Sequence, residues 1–542
     1  MRNSLTPVAR LVQFVGAVDL ASSVSPAMHH RVAPLADLVP TAGMVTARAA
    51  TAVIGVLLLY LGTGLRRGKR RAWQIALGLA ILSTALHVLK GLIVPTALAL
   101  AIVVLLIAQR RRFTAGGDPR DRKRAWQAAA AFLGAGFAVG LALIAAHGGG
   151  TTSGLHRVEH VALGLFGVHG PLLGSADVTY ATGAFGLLAL ASLVLLLLRP
   201  VAGPKSVADD ETRLRETIGR YGDGDSLAYF ALRRDKRLAW APSGKAAVAY
   251  RVVNGVSLAS GDPIGVASEW PLAIAAWRDE CARHGWTPAV LACGPAGGKA
   301  YSRSGLEVLA VGDEAIVDMP GFSLDGRSMR TVRQAVGRMR RAGYETRVVR
   351  QRDLPPAELA EVTACADALR DGKVERGFSM ALSRLGDPDD GDCLLVLCRD
   401  DTGRLRGLLN FVPWGRSGLS LDLMRGDRTA PNGLTELMIV AAIEYAGTAG
   451  LTRLSLNFAV LRGVFARGEE LGAGPFIRIG YRTLKLASRV WQIESLYRAN
   501  AKFQPDWQPR FLCYPSARDL PRVTVAVMSA EAFLPQLTGG RS

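Results

Sequence analysis

The sequence predicts an N-terminal membrane region of several helices, followed by a mixed α/β region of two successive units. Long apolar runs end near residue 203, and a Pro-Val-Ala-Gly-Pro-Lys segment at 200–205 has the composition of a linker. Beyond it, short apolar strands alternate with helical segments. The 542 residues include 65 basic and 45 acidic side chains, and the mean hydropathy is +0.21. This composition argues against an ordinary soluble enzyme and against a disordered chain.

Most of five apolar runs approach the length of about 20 residues that a helix needs to cross a bilayer, and the third run is short but continuous. A sixth, weaker candidate at 8–28 contains Asp19 and serines, and an interfacial segment is the alternative there. A cleaved signal peptide is not expected, because no short apolar core precedes an Ala-x-Ala site. Within a predicted membrane region of residues 1–203, the five runs lie at about 44–65, 72–94, 96–109, 125–146 and 182–198.

Basic residues in the loops orient the membrane region. Arginine and lysine crowd residues 66–71, 110–112 and 120–124, whereas the loop at 147–181 has Arg157 as its only basic residue. By the positive-inside rule the basic loops face the cytoplasm and 147–181 lies outside. The chain beyond residue 199 is therefore expected in the cytoplasm.

The α/β region is expected to form two units, at 204–345 and 346–542. In the first, strands at 246–253 and 256–258 flank Asn254-Gly255, a strong hairpin signal. The second unit is predicted to contain helices at 356–370, 432–449 and 482–500 and strands at 393–399, 405–412, 418–423 and 452–457.

Histidine and cysteine usage limits the chemistry of the α/β region. His284 is its only histidine, so a Ser-His-Asp triad is not expected there. Carboxylates, basic side chains and backbone donors must then do any catalytic work. The six cysteines form no CxxC pair, and no metal site is predicted.

Two short motifs favour ordinary structural readings. The segment 156–160 matches the H-x-x-E-H zinc-protease pattern, but it lies in a short external loop without a peptidase-sized domain. Polar residues near a membrane face are the expected reading. The segment 294–299 (Gly-Pro-Ala-Gly-Gly-Lys) could hold phosphate on backbone N–H groups, but Ala300 replaces the Ser or Thr of a Walker loop. A plain turn is expected instead.

A run of arginines indicates an anionic partner. No acidic residue lies between Gly326 and Tyr344, so the charge is uncompensated in sequence. Phosphates of a lipid or of tRNA are the expected partners, and a solvated helix face is the alternative. The arginines are Arg327, Arg330, Arg333, Arg338, Arg340 and Arg341, of which Arg330, Arg333 and Arg338 are predicted to bind phosphate.

Six different segments rich in polar and aromatic residues follow one another along the α/β region. They are Gly261-Asp262-Pro263-Ile264-Gly265, Glu375-Arg376-Gly377-Phe378-Ser379, Asp422-Leu423-Met424-Arg425, Ala430-Pro431-Asn432-Gly433, Leu456-Asn457-Phe458-Ala459 and Lys502-Phe503-Gln504-Pro505-Asp506-Trp507-Gln508-Pro509-Arg510. Over roughly 210–525, this series resembles the catalytic region of the phosphatidylglycerol lysyltransferase family, the multiple-peptide-resistance synthases. The resemblance implies two tandem acetyltransferase-like (GNAT-like) folds.

The resemblance also implies an activity, which is transfer of an aminoacyl group from aminoacyl-tRNA to phosphatidylglycerol at a bacterial plasma membrane. Lysine is the first expectation for the aminoacyl group, with alanine and arginine open. Aminoacyl-tRNA is a co-substrate, and no cofactor is expected. The product would alter membrane charge and resistance to cationic antimicrobial peptides. The membrane region is shorter than in the best-known members, and charged tRNA is expected from a separate synthetase.

Roles for single residues follow from the same resemblance. Asp422 and Glu375 are expected to bind the aminoacyl ammonium or to assist proton transfer. Arg425 would fix carboxylate geometry or contact phosphate, and Asn457 would orient the ester. Structural alternatives are an Asp422–Arg425 ion pair and a strand-end turn at Asn457. Further substrate or phosphate contacts are expected at Asp262, Arg376, Phe378, Ser379, Lys502 and Arg510.

Two other classes stay open at this point. One is a GNAT-type enzyme that uses acyl-CoA on a membrane substrate, although no convincing pyrophosphate loop is present, since Arg462-Gly463-Val464-Phe465 does not fit. The other is a non-catalytic membrane protein that binds lipid.

Overall fold

The computed structural model describes residues 5–24, 41–66, 68–89, 93–113, 115, 119–146, 153–165, 176–197, 208–370, 377–460 and 498–534. The chain divides into two compact units. One comprises residues 1–202 with 281–286, and the other comprises 203–280 with 287–542.

The N-terminal unit is built from helices, and each predicted span falls on one of them. Three stretches, Arg70–Val88, Ala125–Ala146 and Val178–Leu196, are long and apolar enough to cross a membrane, while Thr51–Arg66 and Ile93–Ala108 are shorter apolar helices. The count of five or six spans therefore stays a prediction. The helices are α1 (Thr6–Val24), α2 (Thr41–Arg66), α3 (Arg70–Leu89), α4 (Ile93–Ala108), α5 (Pro119–Ala146), α6 (Gly154–Leu165) and α7 (Ala176–Leu197).

Helix α6 was not anticipated within the loop at 147–181. It is short and amphipathic, so it lacks the long apolar run by which spans are recognised. It carries the H-x-x-E-H segment, in which His160 is buried beside Thr179 and His156 is exposed beside Ser153. Within the described residues, no group of three or more histidine, cysteine or acidic side chains is arranged to hold a metal ion.

Helices α1 and α2 approach each other closely at two glycines. A Cβ added to Gly16 would lie 2.7 Å from the Gly55 carbonyl oxygen, so a larger side chain would separate the helices. Farther along α1, the fully buried Asp19 accepts hydrogen bonds from Ser83 at 3.0 Å and pairs with His87 Nε2 at 2.7 Å. These polar contacts connect α1 to α3 within a helix bundle whose core is formed mainly by apolar side chains.

The C-terminal unit has one mixed sheet flanked by helices. Its helices are α8 (Ala208–Tyr221), α9 (Trp270–His284), α10 (Pro295–Arg303), α11 (Arg330–Arg341), α12 (Pro356–Arg370), α13 (Leu434–Thr448) and α14 (Leu520–Ala530). Its strands are β1 (Arg237–Trp240), β2 (Ala246–Val253), β3 (Val256–Ser260), β4 (Ile264–Gly265), β5 (Thr287–Cys293), β6 (Glu307–Asp318), β7 (Glu345–Arg350), β8 (Leu394–Arg399), β9 (Leu405–Trp414), β10 (Gly418–Gly426), β11 (Arg453–Val460) and β12 (Asp506–Tyr514).

The strand order interleaves the two predicted α/β units. It reads β1-β2-β3-β5-β12-β6-β11-β10-β9-β8-β7, and β4 pairs with β2. The last strand, β12, thus lies between β5 and β6, and β6 pairs on its other side with β11. Strand β6 of the first half therefore lies between two strands of the second half, and strand β12 of the second half lies between two strands of the first. The boundary at 345/346 stays a prediction.

Apolar side chains form two main clusters on this sheet. Helix α11 buries Val332, Ala335, Val336 and Met339, which recur at helical spacing along one face. That face joins a cluster with α13 and strands β8 to β11, while the arginines of α11 are exposed. A second cluster gathers side chains of α8, β2, β3, β5 and α14. Burial of these faces holds the helices to the sheet.

Candidate active site

The sheet opens between two of its parallel strands. Strands β10 and β11 are paired over three residues only, and the last pair is Ser420 with Ser455. Farther on, β10 continues along β9, and β11 continues along β6. We call this opening the strand fork, formed by residues 421–426 of β10 and 456–460 of β11. Beyond Ser420 and Ser455 the two strands no longer pair with each other, and the end of pairing between parallel strands is the feature that marks this place as a candidate site.

Asp422 lies on the β10 side of the strand fork. A register shift between Leu421 and Leu423 marks a β-bulge at Asp422, and a bulge re-aims the side chain that it carries. One carboxylate oxygen accepts the Leu382 N–H at 2.6 Å, and the other accepts the Asn410 amide at 2.8 Å. These two donors fix the orientation of a half-buried carboxylate.

Asn457 lies on the β11 side of the strand fork. Strand β11 has its own register shift, between Ser455 and Phe458, where it pairs with β6. Asn457 has φ +77°, a left-handed conformation that asparagine tolerates better than most residues. Its N–H contacts the Ser455 hydroxyl at 3.4 Å. Because β10 and β11 are parallel, Asp422 and Asn457 leave the paired region at the same end.

A buried ion-pair network lies beside the strand fork. Arg510 of β12 donates through Nε to Glu314 at 2.9 Å, and through its terminal nitrogens to Asp225 at 2.8 Å and Ser226 at 2.6 Å. Burial opposes the charge of this guanidinium, but Glu314 and Asp225 outweigh that effect and raise the pKa of Arg510. Its donors are engaged within the protein. The phosphate role of Arg510 stays a prediction, and this geometry favours a structural role.

Lys502 forms an ion pair at the start of α13. Its Nζ lies 2.6 Å from the Glu436 carboxylate, and the lysine side chain is 38% exposed. A phosphate would have to compete with Glu436 for this ammonium.

Arg425 lies on the β10 side of the strand fork, where its guanidinium donates to the Met424 carbonyl at 3.1 Å.

Phe378 and Ser379 anchor the segment that precedes Leu382. Glu531 accepts the Phe378 N–H at 2.8 Å and the Ser379 hydroxyl at 2.6 Å. The buried Phe378 ring lies 4.7 Å from the Lys236 ammonium. Burial, together with the nearby Arg233, lowers the pKa of Lys236 to about 7. The predicted site residues Glu375 and Arg376 lie outside the described residues.

Asp262 caps helix α10 in the first half of the unit. Its carboxylate accepts the Gly294 N–H at 2.7 Å and the Gly297 N–H at 3.1 Å. The segment predicted as a turn at 294–299 therefore contains a helix N-terminus whose anion is the protein's own carboxylate. Burial and the charge of Asp225 raise the pKa of Asp262 to about 7. A Cβ on Gly297 would lie 2.1 Å from this carboxylate, so the close approach requires glycine.

The position of Asp262 repeats that of Asp422. Strands β3 and β5 are parallel, and their last pair is Ser260 with Leu291. Asp262 comes two residues after Ser260, as Asp422 comes two residues after Ser420. In the first half of the unit, the Asp262 carboxylate is bound by the N-terminus of α10. In the second half, the Asp422 carboxylate lies at the strand fork.

The arginines of α11 divide into two groups. Arg333 donates to the Leu324 and Gly326 carbonyls, and Arg340 pairs with Glu444. Arg330, Arg338 and Arg341 are exposed, and none has an ion-pair or hydrogen-bond partner among the described side chains. A surface cavity of about 600 Å³ beside the start of α13 is lined by Arg338, Arg341, Ala342, Pro431 and Asn432.

Several site residues were missed by sequence reasoning. Glu314, Ser226 and Ser455 meet in one network although they are far apart in sequence. One local signal could have indicated this network, which is the Glu314 carboxylate within the largely apolar segment 308–317. Asn410 meets Asp422 across the neighbouring strands β9 and β10, and Glu531 meets Phe378 and Ser379 from a distant segment, and no local sequence pattern indicated either contact.

The fold and the site define the class of this protein. It combines an N-terminal helical region, in which three described helices are long and apolar enough to cross a membrane, with a C-terminal unit of GNAT-like architecture that contains the strand fork. The family model described as "Phosphatidylglycerol lysyltransferase, C-terminal" matches residues 215–514. The chain belongs to the phosphatidylglycerol lysyltransferase family.

Individual relatives agree with this assignment. The lysylphosphatidylglycerol biosynthesis bifunctional protein LysX of Rhodococcus opacus is 51% identical over 361 residues, which cover 66% of this chain and 32% of that protein. LysX of Mycobacterium avium is 43% identical over 505 residues, covering 88% of this chain and 42% of that protein. The chain thus spans between about a third and less than half of the length of these relatives.

Solved structures show the same fold. L-PGS from Bacillus licheniformis aligns with a TM-score of 0.54 at 22% identity, over 61% of this chain and 99% of that one. The C-terminal DUF2156 domain of an Agrobacterium fabrum protein aligns with a TM-score of 0.52 at 23% identity, with the same coverage. The GNAT-like architecture implied by the sequence resemblance is confirmed.

Proposed function

We propose that this protein is a membrane-bound aminoacyltransferase that moves an aminoacyl group, lysyl in the first instance, from aminoacyl-tRNA to phosphatidylglycerol. The observation that supports the proposal is the strand fork, where Asp422 and Asn457 lie at bulges just beyond the last paired residues of two parallel strands, in a chain of this family. The expected location is the bacterial plasma membrane, with the C-terminal unit in the cytoplasm. The product lipid would reduce the negative charge of the membrane and increase resistance to cationic antimicrobial peptides.

The reaction is an exchange of esters. A headgroup hydroxyl of phosphatidylglycerol attacks the aminoacyl carbonyl, a new C–O bond forms, and the bond to the tRNA ribose oxygen breaks. The proton of the lipid hydroxyl is transferred to that ribose oxygen, directly or through a protein group. The ester is already activated, so positioning and oxyanion stabilisation are what the protein must supply.

The residues at the strand fork have the chemistry that this exchange requires. The Asp422 carboxylate, held by Leu382 and Asn410, can bind the α-ammonium of the aminoacyl group. The Asn457 amide can donate to the carbonyl oxygen as negative charge develops on it. Glu375 is proposed to assist Asp422.

The charged surface of α11 is proposed to bind the donor. Its exposed arginines form a series of cationic groups suited to phosphodiesters, and the cavity at Arg338 and Arg341 lies beside the helix start at α13. The apolar helices of the N-terminal unit would keep the enzyme at the membrane that contains the acceptor lipid. Aminoacyl-tRNA is thus the proposed co-substrate, and the proposed reaction includes no cofactor.

The test uses membranes that contain the full chain. They are incubated with phosphatidylglycerol and with tRNA charged, in separate reactions, with labelled lysine, alanine or arginine, and the lipid extract is analysed for label. We expect label in a new cationic lipid with wild type, and a fall of about 100-fold or more for Asp422→Asn. Asp392→Asn is the matched control, since that carboxylate is 63% exposed and pairs with Arg352.

The outcomes separate the proposal from its rivals. Wild-type turnover by Asp422→Asn would remove Asp422 from the mechanism. No label from any charged tRNA, with folded protein, would refute the transferase. Labelling from an acyl-CoA instead would favour the acyl-CoA-dependent class.

A further inference from the structure

We propose that Glu314 is a positioning residue that acts through the Ser455 hydroxyl to hold the β11 bulge and, with it, Asn457. This inference rests on the proposed function, because it assigns Asn457 a part in the ester exchange. Glu314 does not touch the reacting atoms. It lies on β6, next to the point at which β10 and β11 separate.

Glu314 is a fully buried carboxylate with a complete set of donors. One oxygen accepts the Ser226 hydroxyl at 2.6 Å and the Ser455 hydroxyl, and the other accepts two nitrogens of Arg510. Burying such an ion pair carries a desolvation penalty for each charge, and apolar replacements of a whole buried pair are often as stable. Stability alone therefore does not explain a carboxylate at this position.

The register of the sheet connects Glu314 to the bulge. Glu314 is the β6 partner of Phe458, and the register shift of β11 lies between Ser455 and Phe458. The Ser455 hydroxyl donates to Glu314 and is contacted by the Asn457 N–H at 3.4 Å. Regular pairing without the extra residue would change the face on which the Asn457 side chain projects.

A second branch of the network reaches the other strand of the fork. Ser226 donates to Glu314, and its carbonyl accepts the Ser420 hydroxyl at 2.8 Å. Ser420 and Ser455 are the last residues that pair β10 with β11. Glu314 thus connects to both strands at their last paired residues. It is bound directly by Ser455 of β11, and through Ser226 it is connected to Ser420 of β10.

The test is a cycle of variants in the full-length protein, with kcat and KM measured for charged tRNA and for phosphatidylglycerol. Ser455→Ala removes the hydroxyl and retains the Arg510–Glu314 pair. We expect kcat to fall by about 10- to 100-fold, the range for a misplaced catalytic group, with both KM values within about twofold. Ser257→Ala is the matched control, because that buried strand hydroxyl accepts the Trp277 indole N–H outside this network.

The double variant distinguishes positioning from general destabilisation. Asn457→Gly removes the side chain and retains a residue suited to positive φ. If Ser455 acts through Asn457, adding Ser455→Ala to Asn457→Gly will not lower kcat further. Full additivity, or wild-type kcat in Ser455→Ala, would overturn the inference. If Asp422→Asn and Asn457→Gly are both fully active, the proposed site itself fails.

Discussion

Replacing Asp262 with asparagine should change how the stability of the protein depends on pH. The Asp262 carboxyl is buried, lies near the charge of Asp225 and has a pKa raised to about 7. Its charge is therefore unfavourable in the folded state, although the Gly294 and Gly297 N–H groups partly offset this. An amide in its place cannot titrate.

The size of the effect follows from linkage. With a pKa of about 7 when folded and about 3.9 when unfolded, the folded protein retains a proton that the unfolded chain loses. The contribution of Asp262 is thus most favourable below pH 4 and is lost as pH rises towards 7. Raising the pH from 5 to 8 should therefore lower the free energy of unfolding of the wild type by about 2.5 kcal/mol through Asp262. Asp262→Asn should lack this loss.

The assay is denaturant unfolding of the full chain in detergent at pH 5, 6.5 and 8, followed by tryptophan fluorescence. Asp262→Asn loses one backbone hydrogen bond, so it should be less stable than wild type at pH 5. The difference between variant and wild type should move in favour of the variant as pH rises. The exposed carboxylate variant Asp392→Asn should give a constant difference. Parallel pH profiles for Asp262→Asn and wild type would refute the reasoning.

Two further predictions concern α11 and the buried lysine. Arg341→Gln should weaken tRNA binding and lower the salt slope of log K by about 0.7–0.9 per lost phosphate contact, whereas Arg340→Gln, whose arginine is paired with Glu444, should change both less. Filter binding at several salt concentrations measures this, and equal effects of the two variants would contradict it. The pKa of Lys236 is lowered to about 7, so wild-type stability should rise from pH 7 to pH 10 as the unfolded chain retains the proton longer. Lys236→Met should remove that rise in denaturant titrations, and an unchanged slope would argue that the ammonium stays charged.

Local sequence signals predicted the elements well. Asn254-Gly255 forms the expected hairpin turn, with φ of +50° and +74° at the two residues. The strand predicted at 405–412 is β9, and the helix predicted at 356–370 is α12. The helix predicted at 482–500 lies mostly outside the described residues. Such signals succeed because each depends on neighbouring residues alone.

The strand order and the Glu314 network could not be predicted in this way. Arg510 meets Glu314 because β12 is inserted beside β6, a pairing between distant segments that leaves no periodic trace in sequence. Asp422 and Asn457 entered as candidates through resemblance, and the structure adds that both lie at bulges where paired strands separate. Their catalytic roles stay predictions.

The inserted position of β12 has a consequence for synthesis of the protein. Strands β5 and β6 emerge from the ribosome long before Asp506, where their shared neighbour begins. Until then the nascent chain has two unpaired strand edges near the middle of its future sheet, and such edges favour aggregation. The first half therefore cannot complete its fold until β12 has been synthesised, and a truncation ahead of β12 would leave the sheet of the first half without its neighbouring strand.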